Sequence, residues 1–217
     1  MSPFPFVIAV TGHRDLRPQD LGALRREVGA VLAEIRGRMP DTPLLLLSGL
    51  AEGADQLAAE VALQQGVLLA AVLPMPLDVY RVQMPQEAQE KLAKLLALSK
   101  VTIELPLDGR TREQIRTDKD AQAACYEALA HYLVLHCRAL IALWDGRHSD
   151  KAGGTYRVVQ YACCDTLTAS AEKVESHCEV VYHVMTPRLS DDGAAKEIRT
   201  VTIDCKAGSG TQRDPGA

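Results

Sequence analysis

The 217-residue chain is 47% hydrophobic and 24% charged, with a formal net charge of −4. This length and composition predict a soluble globular protein with one domain. The negative charge argues against a nucleic-acid partner, which requires a basic surface. No apolar run is long enough to span a bilayer and the first residues lack a secretory-signal pattern, so we expect a cytoplasmic protein without a membrane partner.

The cysteines and histidines show no metal-binding pattern. None of the six cysteines forms a CxxC pair or has zinc-ligand spacing, and most lie in apolar stretches. We therefore expect reduced, packed thiols. His131 and His136 are five residues apart and do not share a helix face as an i, i+4 metal pair would. No metal site is predicted.

The first predicted strand, residues 6–10, ends in Thr11-Gly12-His13-Arg14. A glycine at this point lets the backbone approach a ligand, and the planar guanidinium of Arg14 can pair with a phosphate. The alternative is that Arg14 and Asp15 cap neighbouring elements at the surface. Pro18 then predicts the start of a helix, whose expected buried residues are Leu21, Leu24, Val28, Val31, Leu32 and Ile35.

Residues 44–74 form a complete βαβ unit in this interpretation. The apolar run 44–47 is typical of a parallel strand buried on both faces, and 67–73 predicts a second strand. A helix is expected to begin at Gly53-Ala54-Asp55 and to end near Gly66, with Asp55 as its cap. The turn between strand and helix lies at the carboxyl edge of the sheet, where the free N–H groups of the helix favour a phosphate.

The next segments alternate between predicted loops and helices. Residues 78–85 predict a loop in which Tyr80 and Arg81 contact a base or phosphate, or else pack at the surface. A helix over 86–99, a strand over 101–105 and a polar loop over 106–114 follow. Thr117 or Asp118 can cap the next helix, whose expected buried stripe is Ala121, Ala124, Cys125, Ala128, Leu129, Tyr132 and Leu133.

A third strand-to-turn transition follows residues 139–144. This predicted strand ends in Asp145-Gly146, and a flexible polar loop, 147–152, leads to Gly153-Gly154-Thr155 and a helix beginning at Tyr156. Thr155 can cap that helix or bind a phosphate oxygen. Trp144 either packs under the loop or stacks on a base.

The last predicted strands are 180–185 and 200–204, joined by a polar, exposed connection that includes Pro187 and Arg188. We assign residues 1–206 to one nucleotide-binding domain and 207–217, which are rich in glycine, serine and proline, to a disordered tail.

With these motifs placed, the sequence resembles the SLOG superfamily of Rossmann-like domains. That superfamily includes the LOG proteins, the DNA-processing protein DprA, and the ligand-sensing domains of TRPM channels and their prokaryotic counterparts. The resemblance covers most of residues 6–188, and the string Ser48-Gly49-Leu50-Ala51-Glu52-Gly53-Ala54-Asp55 is its most specific part. It implies an α/β, three-layer fold with a mostly parallel twisted sheet and helices on both faces. It also implies self-association.

The prokaryotic sensor branch is the most similar, and the resemblance implies a nucleotide site without a firm cofactor. The residues implied for nucleotide binding are Thr11, Gly12, His13, Arg14, Ser48, Gly49, Ala51, Glu52, Gly53, Asp55, Asp145, Gly146, Gly153, Gly154 and Thr155. Glu52 or Asp145 is expected to accept a hydrogen bond from a ribose hydroxyl.

One departure from the LOG enzymes bears on catalysis. Those enzymes carry PGGxGTxxE, whereas no proline precedes Gly153 here and the glutamate position holds Val158. Hydrolysis of a glycosidic bond needs a carboxylate, so we predict no catalytic residue. The leading hypothesis is a sensor of an NAD-like, ADP-ribose-like or cyclic nucleotide signal in a bacterial defence or stress system. The alternatives are a LOG-like nucleotide N-glycosidase (phosphoribohydrolase) using Glu52, and DprA-like binding of single-stranded DNA.

Overall fold

One sheet organises the molecule. The computed structural model describes residues 4–149, 152–163, 176–191, 197–206 and 212–213. The strands within these ranges are β1 (Phe6–Gly12), β2 (Leu44–Ser48), β3 (Leu68–Leu73), β4 (Val101–Glu104), β5 (Ala139–Trp144), β6 (Val180–Met185), β7 (Thr200–Asp204) and β8 (Gln212–Arg213). Their order across the sheet is β4-β3-β2-β1-β5-β6-β7-β8. Strands β1 to β6 pair in parallel, and β7 and β8 are antiparallel to their neighbours.

Helices cover both faces of this sheet. They are α1 (Leu21–Arg38), α2 (Ala54–Gln64), α3 (Leu77–Arg81), α4 (Gln86–Leu98), α5 (Arg112–Thr117), α6 (Lys119–His136) and α7 (Thr155–Cys163), and a 3₁₀ turn at Pro18–Asp20 precedes α1. Buried side chains of α1, α2 and α4 belong to one hydrophobic cluster, whereas most of those of α6 and α7 belong to a second.

The sheet separates the two clusters, and successive side chains of β1 point alternately into one and the other. Ile8 and Val10 pack into the first cluster, and Ala9 packs into the second. A strand whose neighbouring side chains point to opposite faces requires apolar cover on both sides. The predicted three-layer fold with a mostly parallel sheet is confirmed.

The strand order reverses between β1 and β5. From β1 the chain builds β2, β3 and β4 on one side, and then returns to place β5 and β6 on the other. β1 therefore pairs with both β2 and β5. At the carboxyl edge of the sheet, the loop after β1 leads to α1 on one face and the loop after β5 leads to α7 on the other. The crevice between these two loops is the switch point at which open α/β sheets bind ligands.

Two predicted loops contain helices instead. The predicted loop 78–85 includes most of α3, and the loop 106–114 runs into α5. The missed signal for α5 is a capping box, in which the Thr111 side chain accepts from the backbone N–H of Gln114 and the Gln114 side chain accepts from that of Thr111. Of the two predicted caps for α6, Asp118 is the one observed, because its side chain accepts a hydrogen bond from the N–H of Asp120.

Parts of three predicted segments lie outside the described residues. These parts are 150–151 of the loop before α7, 192–196 of the connection after β6, and 207–211 and 214–217 of the predicted tail. Within that tail, β8 pairs with β7; the division at residue 206 stays a prediction. None of the helices in the described ranges has both the length and the apolar character that a membrane crossing needs.

Candidate functional site

A cleft of about 450 Å³ opens at the switch point. Most of the predicted site residues line it: Thr11, Gly12, His13, Arg14, Ala51, Asp55, Gly153, Gly154 and Thr155. The other predicted residues, Ser48, Gly49, Glu52, Gly53, Asp145 and Gly146, are not part of this lining. The loops after β1 and β5 thus meet at one cleft, whereas the turn after β2 contributes mainly from behind it.

His13 connects three of the elements that form the cleft. Its backbone N–H donates to Leu143 at the end of β5, and its carbonyl accepts from Ala54 N–H at the start of α2, at 3.1 and 3.0 Å. Its Nε2 accepts from the backbone N–H of Asp145 at 3.0 Å, so this nitrogen carries no proton. Burial and the nearby Arg188 lower the pKa of His13. The contact of 3.4 Å between His13 Nε2 and the Asp145 carboxylate therefore joins a neutral ring to an anion.

The Asp145 carboxylate is buried and already engaged within the protein. One oxygen accepts from the backbone N–H of Arg147 at 3.0 Å, and the other from Arg188 Nε at 2.8 Å. Burial acts to raise the pKa of Asp145, but hydrogen bonds from Arg147 and Arg188 outweigh it and the pKa falls. Asp145 therefore links His13, Arg147 and Arg188 at the rim of the cleft. The sequence predicted a ribose contact for Asp145 and did not indicate this structural role.

Arg188 belongs to a connection that was predicted to be polar and exposed. The structure brings that connection back to the rim of the cleft, where Arg188 forms a β-bridge with Leu16 and Leu189 N–H donates to Asp15. No local sequence signal indicates this contact, because it joins residues from opposite ends of the chain.

Two glycines at the cleft are required by protein packing. A Cβ on Gly53, which has φ +85°, would lie 2.4 Å from the carbonyl oxygen of Arg14. A Cβ on Gly153, which has φ +63°, would lie 2.5 Å from Cβ of Tyr126. Each glycine therefore lets one loop pack directly against another element, whereas the sequence predicted close approach of a ligand.

The first residues of the turn after β2, Ser48 to Leu50, are buried. Ser48 Oγ accepts from Leu50 N–H at 3.0 Å, and the carbonyl of Gly49 accepts from the Tyr80 hydroxyl at 3.0 Å. Tyr80 is fully buried, so its predicted packing at the surface is wrong. It lies in α3 and also lines the cleft, so its predicted contact with a ligand stays a prediction. This turn supports the cleft wall from the inside.

Asp55 faces the cleft and does not cap α2. No side chain caps this helix, and the nearest donor to the Asp55 carboxylate is the backbone N–H of Ala51, at 3.4 Å. Only 7% of Asp55 is exposed. Burial raises the pKa of Asp55 to about 7, although the Ala51 N–H and Arg14 act to lower it. The predicted cap is instead a carboxyl group that titrates near neutral pH.

Cationic side chains also line the cleft. Arg14 is exposed, and its guanidinium lies 5.3 Å from the centre of the Tyr126 ring. Lys119 also lines the cleft. Among the residues that the structure describes, neither Arg14 nor Lys119 has a carboxylate within ion-pair distance. Gly154 and Thr155 add the positive end of the α7 dipole.

Helix α6 supplies a wall that the sequence analysis assigned to the core alone. Lys119, Gln122 and Tyr126 line the cleft. Glu127 fixes the glycine turn, because its Oε2 accepts from the N–H of Gly153 at 2.7 Å. The spacing of 119, 122, 123, 126 and 130 places these residues on one helix face, and this is the signal that identifies the wall.

Trp144 packs under the loop, as one of its two predicted roles requires, and it also lines the cleft, so stacking on a base stays a prediction. Its Nε1 donates to the carbonyl of Arg147 at 3.0 Å, and its ring lies 4.9 Å from that of His183. Tyr156, whose ring is 5.8 Å from that of Trp144, also lines the cleft.

Two observations in the described residues bear on the chemistry of the cleft. Val158, at the position of the LOG glutamate, is 2% exposed and packs into the second cluster. No group of three or more histidine, cysteine, aspartate or glutamate side chains in the described ranges is arranged to hold a metal ion.

No protein-family model matches the sequence, and no curated protein is similar to it. Three solved structures are similar in part. DNA processing protein A from Streptococcus pneumoniae is 25% identical with a TM-score of 0.46, and the match covers 72% of this chain and 47% of that one. DNA processing protein A from Helicobacter pylori is 16% identical with a TM-score of 0.45, covering 73% and 62%. A molybdenum cofactor binding protein from Rippkaea orientalis is 18% identical with a TM-score of 0.41, covering 75% and 72%.

These similarities concern the fold. The chain spans about half of the Streptococcus protein and less than two thirds of the Helicobacter protein. DNA processing protein A is among the proteins named by the resemblance, and this chain is similar to part of its structure. Membership of the superfamily, self-association and the assignment to the sensor branch stay predictions.

One prediction about partners is overturned. The Helicobacter protein is described by its single-stranded DNA binding mode, so the expectation that nucleic acid is an unlikely partner is wrong as a deduction from net charge. The value of −4 is a sum over the whole chain. It does not describe the local field at the cleft, where Arg14 and Lys119 lie.

Proposed function

We propose that the cleft binds a phosphorylated nucleoside and that the protein acts as a sensor of such a ligand. The observation that carries this proposal is the meeting of the β1 and β5 loops at the switch point, where Arg14 and Lys119 lie beside aromatic side chains. A cleft of about 450 Å³ falls within the range for small-molecule sites.

The phosphate is held at the cationic end. The guanidinium of Arg14 provides paired N–H donors, Lys119 adds a second positive charge, and Thr155 offers a hydroxyl and the start of α7. A hydrogen bond to a charged group contributes about 1.5–3 kcal/mol. The loss of Arg14 alone is therefore expected to weaken binding by roughly tenfold to a hundredfold.

The base packs against the aromatic lining. Tyr126 and Tyr156 line the cleft on α6 and α7 respectively. Stacking of a base on an aromatic side chain contributes about 1–3 kcal/mol and requires no particular base. The amide of Gln122 lies on the same wall and offers hydrogen-bonding groups for a base edge.

The glycosidase alternative, with Glu52 as its acid, has less support than binding. The acidic residues that line the cleft are Asp15 and Asp55, whereas Glu52, the predicted acid of the glycosidase alternative, is not part of the lining. Both oxygens of the Asp145 carboxylate already accept hydrogen bonds, one from Arg147 N–H and the other from Arg188 Nε.

Isothermal titration calorimetry with AMP, NAD, ADP-ribose and a cyclic dinucleotide tests the proposal. We expect at least one nucleotide to bind the wild-type protein, and Arg14→Gln to weaken that binding at least tenfold. Arg81→Gln is the matched control, because Arg81 is exposed and lies outside the cleft lining. If titration with each of the four ligands produces no binding heat, the proposal is contradicted.

Two further assays separate the alternatives. In the first assay, a labelled oligonucleotide is titrated with the protein. If it binds more tightly than any mononucleotide and Arg14→Gln weakens that binding, single-stranded DNA binding replaces the proposed function. Chromatography after incubation with each nucleotide detects a released base, which would replace it with N-glycosidase activity.

A further inference from the structure

Four cysteines come together at the edge of the sheet opposite the cleft. Cys137 caps the end of α6 just before β5, and Cys178 precedes β6. Cys163 is the last residue of α7, and Cys205 follows β7. Since β7 runs antiparallel to β6, the end of β7 lies at the edge where β5 and β6 begin. Helix α7 therefore begins at the cleft and ends at this group of thiols.

The four thiols lie close to one another in a row. Cys163 and Cys205, Cys205 and Cys178, and Cys178 and Cys137 are close enough to shift one another's thiol pKa, and all four side chains belong to or pack against the second hydrophobic cluster. Cys137 and Cys178 are buried, whereas Cys163 and Cys205 are partly exposed. Of the three pairs, Cys163 and Cys205 form the one in which both residues are partly exposed.

We propose that Cys163 and Cys205 form a reversible disulfide when the protein meets a peroxide, and that this pair is a redox modification site. In the first step one thiolate attacks the O–O bond, which gives a sulfenic acid and releases water or an alcohol. In the second step the other thiol attacks the sulfenic sulfur and displaces water. The peroxide accepts the two electrons that the pair of thiols loses, and the two thiol protons leave in the products.

The surroundings of Cys163 and Cys205 keep both thiols protonated, so we expect their oxidation by peroxide to be slow. The hydrogen bond to Cys205, together with burial, raises the pKa of the Cys163 thiol. The thiolate is the reactive form, so the reduced state is the normal one and oxidation requires a sustained peroxide exposure. The bond would join the end of α7 covalently to the residue after β7, and α7 begins at Thr155, which lines the cleft.

Intact mass spectrometry of the whole protein tests this site. The protein is treated with hydrogen peroxide, denatured and alkylated, and we expect one disulfide, seen as two cysteines protected from alkylation and released by dithiothreitol. Cys163→Ser and Cys205→Ser each abolish the protection. Cys164→Ser, which changes the next residue in sequence, and Cys125→Ser, which changes a buried thiol in the other hydrophobic cluster, retain it.

Several results would overturn the proposal. Protection that survives Cys205→Ser assigns the bond elsewhere. A mass gain of two oxygens, with one cysteine that stays unalkylated after dithiothreitol, indicates a sulfinic acid instead. An unchanged count of free thiols after prolonged peroxide also contradicts it. Tandem mass spectrometry of the peptides from the wild-type protein locates the bond independently, so the outcome does not depend on whether the serine variants fold.

Discussion

Gly53 is the residue at which the geometry of the cleft allows the least change. Its positive φ alone costs an L-residue about 1–2 kcal/mol, and the added Cβ would meet the backbone oxygens of His13 and Arg14 at 2.6 and 2.4 Å. We expect Gly53→Ala to lower the free energy of unfolding by about 3 kcal/mol or more.

Gly66→Ala is the control for this prediction. Gly66 also has a positive φ, of +70°, but a Cβ there meets nothing within 4 Å. We expect a loss of only about 1 kcal/mol, since no clash is added to the backbone cost. Urea denaturation measures both variants, and equal losses would show that the contact with the β1 loop does not constrain Gly53.

Asp55 makes the stability of the protein depend on pH. Its pKa is about 7 in the folded protein because it is buried, and 3.8 is the ordinary value. The folded state therefore binds a proton more tightly, and the stability that this contributes is full below pH 3.8 and is lost as pH rises through about 7.

Asp55→Asn removes that dependence. Between pH 5 and pH 8 the wild-type protein should lose about 2–3 kcal/mol relative to the variant, at about 1.4 kcal/mol per pH unit up to the pKa. Denaturation of both proteins at the two pH values measures the difference. A constant difference would show that Asp55 is ionised throughout this range.

At the scale of elements, the connection between β6 and β7 holds the rim through one arginine. Arg188→Ala leaves the buried Asp145 carboxylate with only the backbone N–H of Arg147 and the neutral His13 ring. We expect a loss of about 2 kcal/mol, which is below the cost for a fully buried pair because Arg188 is 36% exposed.

The stability that the Asp145–Arg188 pair contributes is expected to fall in acid. The pKa of Asp145 is lowered in the folded protein, so its contribution is present above the ordinary pKa of 3.8 and is lost as pH falls through the lower folded value. The Arg188→Ala difference should therefore shrink in acid. Arg112→Ala, which breaks an exposed pair with Asp78, should cost less than about 1 kcal/mol at any pH. A similar loss in both variants would contradict the role of Arg188.

The elements that the sequence predicts best are those whose signal is local. Apolar runs identify β2, β3 and β5 because a strand buried on both faces needs apolar residues throughout. Helix α3 was missed because it is short and its burial depends on Tyr80 reaching Gly49 across the fold. Helix α5 was missed although Thr111 and Gln114 carry its signal, which shows that a capping box can be overlooked in a polar stretch.

The same distinction holds for the site. Thr11 to Arg14 and Gly153 to Thr155 follow predicted strands, so sequence order alone placed them at one edge of the sheet. Arg188 reaches the cleft through tertiary packing, and no residue near it in sequence indicates it. The face of α6 formed by residues 119, 122, 123, 126 and 130 carries a helical spacing, but its place at the cleft depends on tertiary packing. The glycines were identified correctly as constrained, but the atoms that constrain Gly53 and Gly153 belong to the protein.

At the scale of the whole molecule, topology concentrates a local charge that the composition conceals. The chain is acidic overall, yet the switch point between β1 and β5 gathers Arg14, Lys119 and the start of α7 around one cleft. Binding of an anion depends on this local arrangement, because salt screens charges beyond about 10 Å.

Backbone amide NMR during a titration with AMP tests this central claim most directly. We predict that the largest chemical-shift changes occur in residues 11–15 and 153–156, with smaller changes in the first two turns of α6, and that inorganic phosphate shifts a subset of the same amides. Changes confined to another surface, or a spectrum that stays unchanged with millimolar AMP, NAD, ADP-ribose and the cyclic dinucleotide in turn, would contradict the account.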